Sequence, residues 1–281
     1  MKTVFQKITA KNDIHIIDIS PLSGGDINEV FLLKCDEANY VVKLNNAIEY
    51  AGMFEAESKG LKLLKQTKSF KIPEVIDFGN IESTSFLLME HIESGDASVK
   101  FWNDFALNLS IVHKTSQKNF GLSHDNFIGS LPQINNQEIS ASKFYINNRL
   151  EPQFQLAFNN GFRFSELENI FKNITDEIPN EPPALIHGDL WNGNYLVSKN
   201  NIPVLIDPAV SYASREMDIA MMDLFGGFPN SVFSEYNNFF PLEAGWKKRI
   251  PIWQLYYLLV HLNLFGSGYL SRVKNIISLY K

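Results

Sequence analysis

A chain of 281 residues with 45% hydrophobic and 20% charged side chains carries enough apolar matter for one large core or two modest ones, which excludes intrinsic disorder and a disulfide-stapled miniature fold. A formal net charge of −6 offers no basic footprint for nucleic acid, and a single cysteine, Cys35, excludes an intrachain disulfide and a cysteine-rich zinc site, in keeping with a reducing compartment. Residues 1–13 alternate polar and apolar side chains without a signal peptide's apolar core. The most apolar stretch, residues 252–265, is too short for a bilayer and is broken by Gln254, His261 and Asn263, so a cytoplasmic protein with no membrane partner is expected.

From Ile14 to His91 the pattern is of short β-type runs around one helix. Residues 14–19, 30–33 and 40–44 are rich in β-branched and apolar side chains, the last two separated by a polar turn at residues 36–39. A Glu-, Lys- and Ala-rich segment from near Tyr50, with Met53, Leu61 and Leu64, predicts a helix. Pro73 stops helix propagation, and residues 75–78 and 86–90 predict two more strands. Beyond Ser94-Gly95 the balance turns helical, clearest over Phe101–His113 and Ile252–Leu264. The expected architecture is α+β and bilobal, a β-rich lobe over residues 1–91 and a larger helical lobe over residues 92–281.

The chemistry concentrates in His187-Gly188-Asp189-Leu190-Trp191-Asn192-Gly193-Asn194 and in Ile206-Asp207. Residues 195–197 and 204–206 predict a hairpin turning at Lys199-Asn200-Asn201, with Asn194 before its first strand and Asp207 after its second. An amide oxygen and a carboxylate suit a hard cation such as Mg²⁺. Asp189 stands five positions before Asn194, the spacing of a kinase catalytic loop, in which the Asp accepts the hydroxyl proton and the Asn holds the metal. In the β-rich lobe, Gly24 and Gly25 form a small-residue turn through which backbone N–H groups can approach phosphates. Lys43, in mid-strand, fits the lysine that grips α- and β-phosphates, with Glu57 as its acidic partner and Glu55 as the alternative. The backbone of Glu90 and Ile92, at the end of the last β-lobe strand, is the candidate edge for adenine. Trp191 is a candidate for stacking on the acceptor. Glu216 is either a substrate contact or the partner of Arg215. Asp218 is expected to accept backbone N–H bonds from the loop around Asp189.

The sequence resembles the fructosamine kinase family, within the aminoglycoside phosphotransferase and protein-kinase-like fold. The likeness rests on residues 187–194, Ile206-Asp207-Pro208-Ala209, Arg215–Met221, Leu224–Phe228, Asn126-Phe127-Ile128-Gly129, Tyr256–Asn263 and Gly266–Tyr269. It implies ATP-dependent phosphorylation of the sugar 3-hydroxyl of a ketoamine, free or protein-bound. Asp189 would then be the base, Asn194 and Asp207 the Mg²⁺ ligands, and Lys43 the phosphate-binding lysine. Bacterial-type members look suited to ribulosamines and erythrulosamines. Some members carry a cysteine in the glycine-rich loop that links two chains; Asp26 occupies that stretch here, so a monomer is expected. A kinase for another hydroxylated amine, or a silent nucleotide-binding protein, are the competing readings.

Overall fold

The computed structural model describes residues 2–22 and 27–281. The chain begins with α1 (Lys2–Lys11), β1 (Ile16–Pro21), β2 (Glu29–Cys35), β3 (Tyr40–Asn46), α2 (Met53–Gln66), β4 (Val75–Ile81), β5 (Thr84–Glu90) and α3 (Val99–Lys114). A short hairpin follows, β6 (Asn126–Ile128) and β7 (Leu131–Gln133), then α4 (Ala141–Tyr145), a π-helical turn (Ile146–Leu150), α5 (Glu151–Asn159) and α6 (Leu167–Glu177). The remaining strands are β8 (Ala184–Ile186), β9 (Tyr195–Val197), β10 (Pro203–Leu205) and β11 (Ser211–Ala213). The chain ends with α7 (Glu216–Leu224), α8 (Asn230–Phe239), α9 (Trp246–Phe265) and α10 (Leu270–Ser278). It resolves into two compact units, Met1–Phe101 with Tyr195–Asp207, and Trp102–Asn194 with Pro208–Lys281.

The first unit is built on an antiparallel five-stranded sheet of order β1-β2-β3-β5-β4. The pleat sends alternate side chains to opposite faces. Val42, Leu44, Phe86 and Leu88 go to one face, where Phe5 and Ile8 of α1 cover them. Val41, Leu87 and Met89 go to the other, where Phe54 of α2 packs. Lys43, between Val42 and Leu44 and opposite Leu87, is thereby delivered to the α2 face. The β9–β10 hairpin pairs Tyr195 with Leu205. It is tied to the first unit by backbone bonds from Lys71 to Pro203 (3.2 Å), Leu205 to Lys71 (3.2 Å) and Gly95 to Val197 (2.8 Å).

The second unit packs around α9, whose residues 255–260 are all buried, with the buried face of α7 against it. Two stretches differ from the sequence expectation. Residues 1–13 hold a helix, α1, because Phe5 and Ile8 are spaced to share one helical face and to bury together. The Asn-rich stretch 135–149, expected to be a surface connection, is partly core: Asn135, Asn148 and Arg149 are buried. Arg149 lies over the Phe144 ring at 4.5 Å and donates to the Ile134 carbonyl, to the Asn148 carbonyl at 3.0 Å and to Asn135 Oδ1 at 2.8 Å, so these polar side chains satisfy one another inside the fold.

Because the Phe5 ring also meets Phe31 edge-on at 5.1 Å, α1 is part of the first unit's core. Phe5→Ala is expected to cost about 3–5 kcal/mol, read as a lowered urea midpoint.

Candidate active site

In the first unit the site is an ion cluster. The apolar stripe of α2 runs through Met53, Phe54, Ala56, Gly60, Leu61 and Leu64, and Glu57 falls within it while Glu55 does not. Glu57 accordingly reaches Lys43 Nζ at 2.8 Å, and Glu55 pairs with Lys59 on the surface at 2.8 Å. Lys43 also meets the Asp207 carboxylate, whose side chain stays 40% exposed. Burial by itself would drive the Lys43 ammonium down, but Asp207 and then Glu57 reverse this and raise its pKa above the usual lysine range, so it is a fixed cation. Burial pushes the Glu57 carboxyl up, aided by Asp207 and opposed by Lys43. Asp207 itself is held at a positive φ of 55°, a left-handed conformation that L-residues visit at a cost and that concentrates at functional positions.

In the second unit the site is a loop held by its backbone. β8 pairs with β11, Ile186 opposite Ser211, and ends where His187-Gly188-Asp189 begins. Asp218, in the first turn of α7, accepts the His187 N–H at 2.7 Å and the Gly188 N–H at 2.8 Å. Gly188 has φ of +84°, and a Cβ there would stand 2.1 Å from the Ala209 carbonyl oxygen, so only glycine lets this loop lie on the segment after Asp207. The Asp189 N–H points to His187 Nδ1 at 3.3 Å, which casts His187 as a hydrogen-bond anchor of the loop. Asn194 donates its amide nitrogen to the Asp189 carbonyl at 2.8 Å and to Asp189 Oδ2 at 3.0 Å. Its amide oxygen is thereby turned the other way as an acceptor.

The other predicted residues distribute as follows. Glu90 donates its backbone N–H to the Glu74 carbonyl at 2.8 Å and accepts from Lys71 Nζ on its carboxylate at 2.7 Å, and Ile92 is buried. Trp191 is 39% exposed, and its ring lies against Gly193. Glu216 is a correction: it is fully buried and bonded by Arg249 at 2.6 and 3.0 Å and by Trp253 Nε1 at 2.8 Å, which leaves no face for substrate. Arg215 pairs instead with Glu181. Gly24 and Gly25 lie outside the described residues.

Two positioning residues carry no legible signal beyond the Asn126–Gly129 likeness: Asn126 donates to the Val210 carbonyl at 2.9 Å, and Gln133 to the Ala209 carbonyl at 3.1 Å. Gly227, in the Phe-Gly-Gly-Phe run, approaches Asn192 so closely that a Cβ would stand 2.4 Å from the Asn192 Cβ. Among the described residues no three His, Cys, Asp or Glu side chains gather as a metal cage. Asn194, in the second unit, carries an amide oxygen and Asp207, in the first, a carboxylate, each a hard donor of the kind that Mg²⁺ accepts.

These features define a phosphotransferase of the protein-kinase-like class. An aminoglycoside phosphotransferase, APH(4)-Ia, solved with AMP-PNP and hygromycin B, shares the fold with a TM-score of 0.67 at 15% identity, over 99% of this chain and 98% of that one. The chain belongs to the fructosamine kinase family, whose model matches residues 1–281. It is 39% identical over 269 residues to a "probable ketoamine kinase" of Enterococcus faecium, covering 92% of this chain and 94% of that protein. It is 34% identical to the chloroplastic protein-ribulosamine 3-kinase of Arabidopsis thaliana over 97% of this chain and 85% of that protein. A solved structure described as a "putative fructosamine-3-kinase" from Haemophilus somnus 129PT superposes with a TM-score of 0.90 at 29% identity, over 98% and 96% of the two chains. No described helix is long and apolar enough to cross a membrane.

Gly188→Ala is expected to cost about 1–3 kcal/mol through its backbone conformation alone, before the clash with Ala209 is counted. A lowered thermal midpoint together with lost turnover checks this; an unchanged midpoint would show that the loop can lie elsewhere.

Proposed function

We propose that the protein is an ATP-dependent ketoamine kinase that transfers the γ-phosphoryl group of ATP to the sugar 3-hydroxyl of a ribulosamine or fructosamine. The observation that supports it most is the Lys43 ammonium, buried and paired with Glu57 and Asp207, in a chain that belongs to a kinase family. A lysine with two carboxylates has a third N–H to offer, and phosphate oxygens are its natural acceptors. In this reading residues 1–91 form the nucleotide-binding lobe and residues 92–281 the catalytic and substrate lobe. Adenine takes the carbonyl of Glu90, whose N–H is already engaged, and the backbone of Ile92.

Asp189 orients the sugar hydroxyl and accepts its proton as the phosphoryl group departs from ATP. Asn194 keeps that carboxylate in one rotamer through its amide N–H. Trp191 offers an exposed ring face on which the sugar can stack. Asn194 and Asp207 are the residues that would hold Mg²⁺, which when bound neutralises phosphate charge. Catalysis is then mainly positioning and electrostatic stabilisation. The protein acts in this reading as a cytoplasmic monomer on a small-molecule or protein-bound ketoamine.

Incubation with ATP, Mg²⁺ and ribulosyl-lysine or fructosyl-lysine is expected to give a sugar 3-phosphate, identified by phosphorus NMR. ATP consumption with aminoglycosides or amino alcohols alone would replace this substrate class by another. Asp189→Ala is expected to lower kcat by ~10²–10⁴-fold while the protein stays folded by circular dichroism. Glu57→Gln is expected to lower kcat/KM for ATP on the order of 10-fold, as loss of a charge-assisted bond implies. Glu55→Gln, which touches only a surface pair, should leave it unchanged.

A further inference from the structure

Asp218 is wholly buried, and a carboxylate in such a place must be met by donors on every side that faces it. Two are the backbone N–H groups of His187 and Gly188. The third comes from another helix: His113, near the end of α3 and itself buried, places Nε2 3.2 Å from Asp218 Oδ2. That contact is a hydrogen bond only if Nε2 carries the proton, since an unprotonated ring nitrogen would face the carboxylate lone pair to lone pair.

The other side of the ring accommodates that tautomer. His113 Nδ1 lies 2.8 Å from the Tyr236 hydroxyl of α8, and the two rings meet edge-on at 75°. Arg215 Nη1 stands 3.4 Å from the same hydroxyl, and a guanidinium can only donate. The hydroxyl accepts from Arg215 on one lone pair, and with the ring proton already on Nε2 its own hydrogen completes the bond to the bare Nδ1. Burial, opposed by Arg215, pushes the Tyr236 hydroxyl up, so it keeps that hydrogen. Arg215 is itself fixed by Glu181 and by the carbonyls of Phe240 (2.8 Å) and Pro241 (2.6 Å). The donors all run one way, from Arg215 through Tyr236 and His113 to Asp218.

We infer that His113 is a positioning residue for phosphoryl transfer: as the Nε2–H tautomer that the Asp218 carboxylate requires and the Tyr236 hydroxyl matches, it holds Asp218 in the orientation that grips the backbone immediately before Asp189. Its effect on turnover rests on the role proposed for Asp189; its effect on the loop does not. Without the third donor, Asp218 would turn toward a new partner and carry the His187 and Gly188 amides with it, displacing Asp189 while leaving the Lys43 cluster untouched.

The test combines three readouts on the full chain. Nitrogen NMR of ¹⁵N-histidine-labelled protein, with His113 assigned through the His113→Gln spectrum, is expected to show Nε2 protonated and Nδ1 bare. His113→Leu is expected to speed hydrogen exchange at the His187 and Gly188 amides and to lower kcat about 10²-fold with KM for ATP unchanged. His113→Gln, whose amide nitrogen stands where Nε2 does, should restore most of both. A wild-type Nδ1–H tautomer overturns the proposal. So does a Gln variant that performs no better than Leu, or a Leu variant with wild-type exchange and kcat. Should the Leu variant fail to fold, the wild-type tautomer and the Gln variant still decide. A wild type with the expected tautomer and protected amides but no ketoamine turnover would count against the proposed function and leave the loop-positioning role standing.

Discussion

An ammonium group out of water is tolerable only when anions meet it, and the first unit is arranged around that requirement at Lys43. Desolvating a charge costs several kcal/mol per ion even after relaxation, so a lysine on a strand face covered by Phe54 would lose its proton if left alone. Three independent features prevent that. The β3 pleat aims Lys43 at α2, the helical stripe brings Glu57 to it, and the left-handed backbone at Asp207 presents a second carboxylate. The half-exposed one of the two, Asp207, can exchange partners without leaving a carboxylate stranded in apolar surroundings, whereas Glu57 cannot.

The second unit meets the same requirement with the signs reversed. Its fully buried carboxylates, Glu216 and Asp218, are met by backbone amides, a histidine, an arginine and an indole. Arg215 and Glu216 show how helix geometry distributes these partners. Adjacent helical residues project about 100° apart, so the two cannot face each other, and each finds a partner elsewhere: Glu181 for the arginine, Arg249 and Trp253 for the glutamate. Asp218, two positions on, is turned to the loop and to α3. One turn of α7 thus anchors three separate parts of the unit.

The sequence was most readable where a single local pattern decides the outcome. The strand runs of the five-stranded sheet, the β9–β10 hairpin and the long apolar helix each follow from periodicity over a few residues, and Lys43 with an acidic partner from a strand followed by an acidic amphipathic helix, where the structure chooses Glu57 over Glu55. What was not readable depends on distant partners. The α1 helix is short and is fixed by a sheet face formed later in the chain. Asn135, Asn148 and Arg149 are surface residues by type, and nothing within residues 135–149 reveals that they would satisfy one another inside the fold. Glu216 looked available because its buried partner lies 33 positions away. The roles of Asn126 and Gln133 are of the same kind: each bonds a carbonyl more than 70 residues downstream.

The bonding of Asn194 couples two roles usually discussed apart. Both hydrogens of its amide go to Asp189, one to the backbone carbonyl and one to the carboxylate, while its own N–H donates to the Trp191 carbonyl at 3.0 Å and Trp191 donates back to the Asp189 carbonyl at 3.1 Å. The stretch from Asp189 to Asn194 is therefore one cross-braced turn, and a pull on the Asn194 oxygen is transmitted to the Asp189 carboxylate with little slack. In the function proposed above, where that oxygen meets a divalent ion and Asp189 accepts the proton, the position of the carboxylate and the occupancy of the ion site cannot vary independently. In that reading such coupling favours transfer to a hydroxyl already seated beside Asp189, because the braced carboxylate would have a fixed place to accept a proton and little freedom to follow a loosely held water.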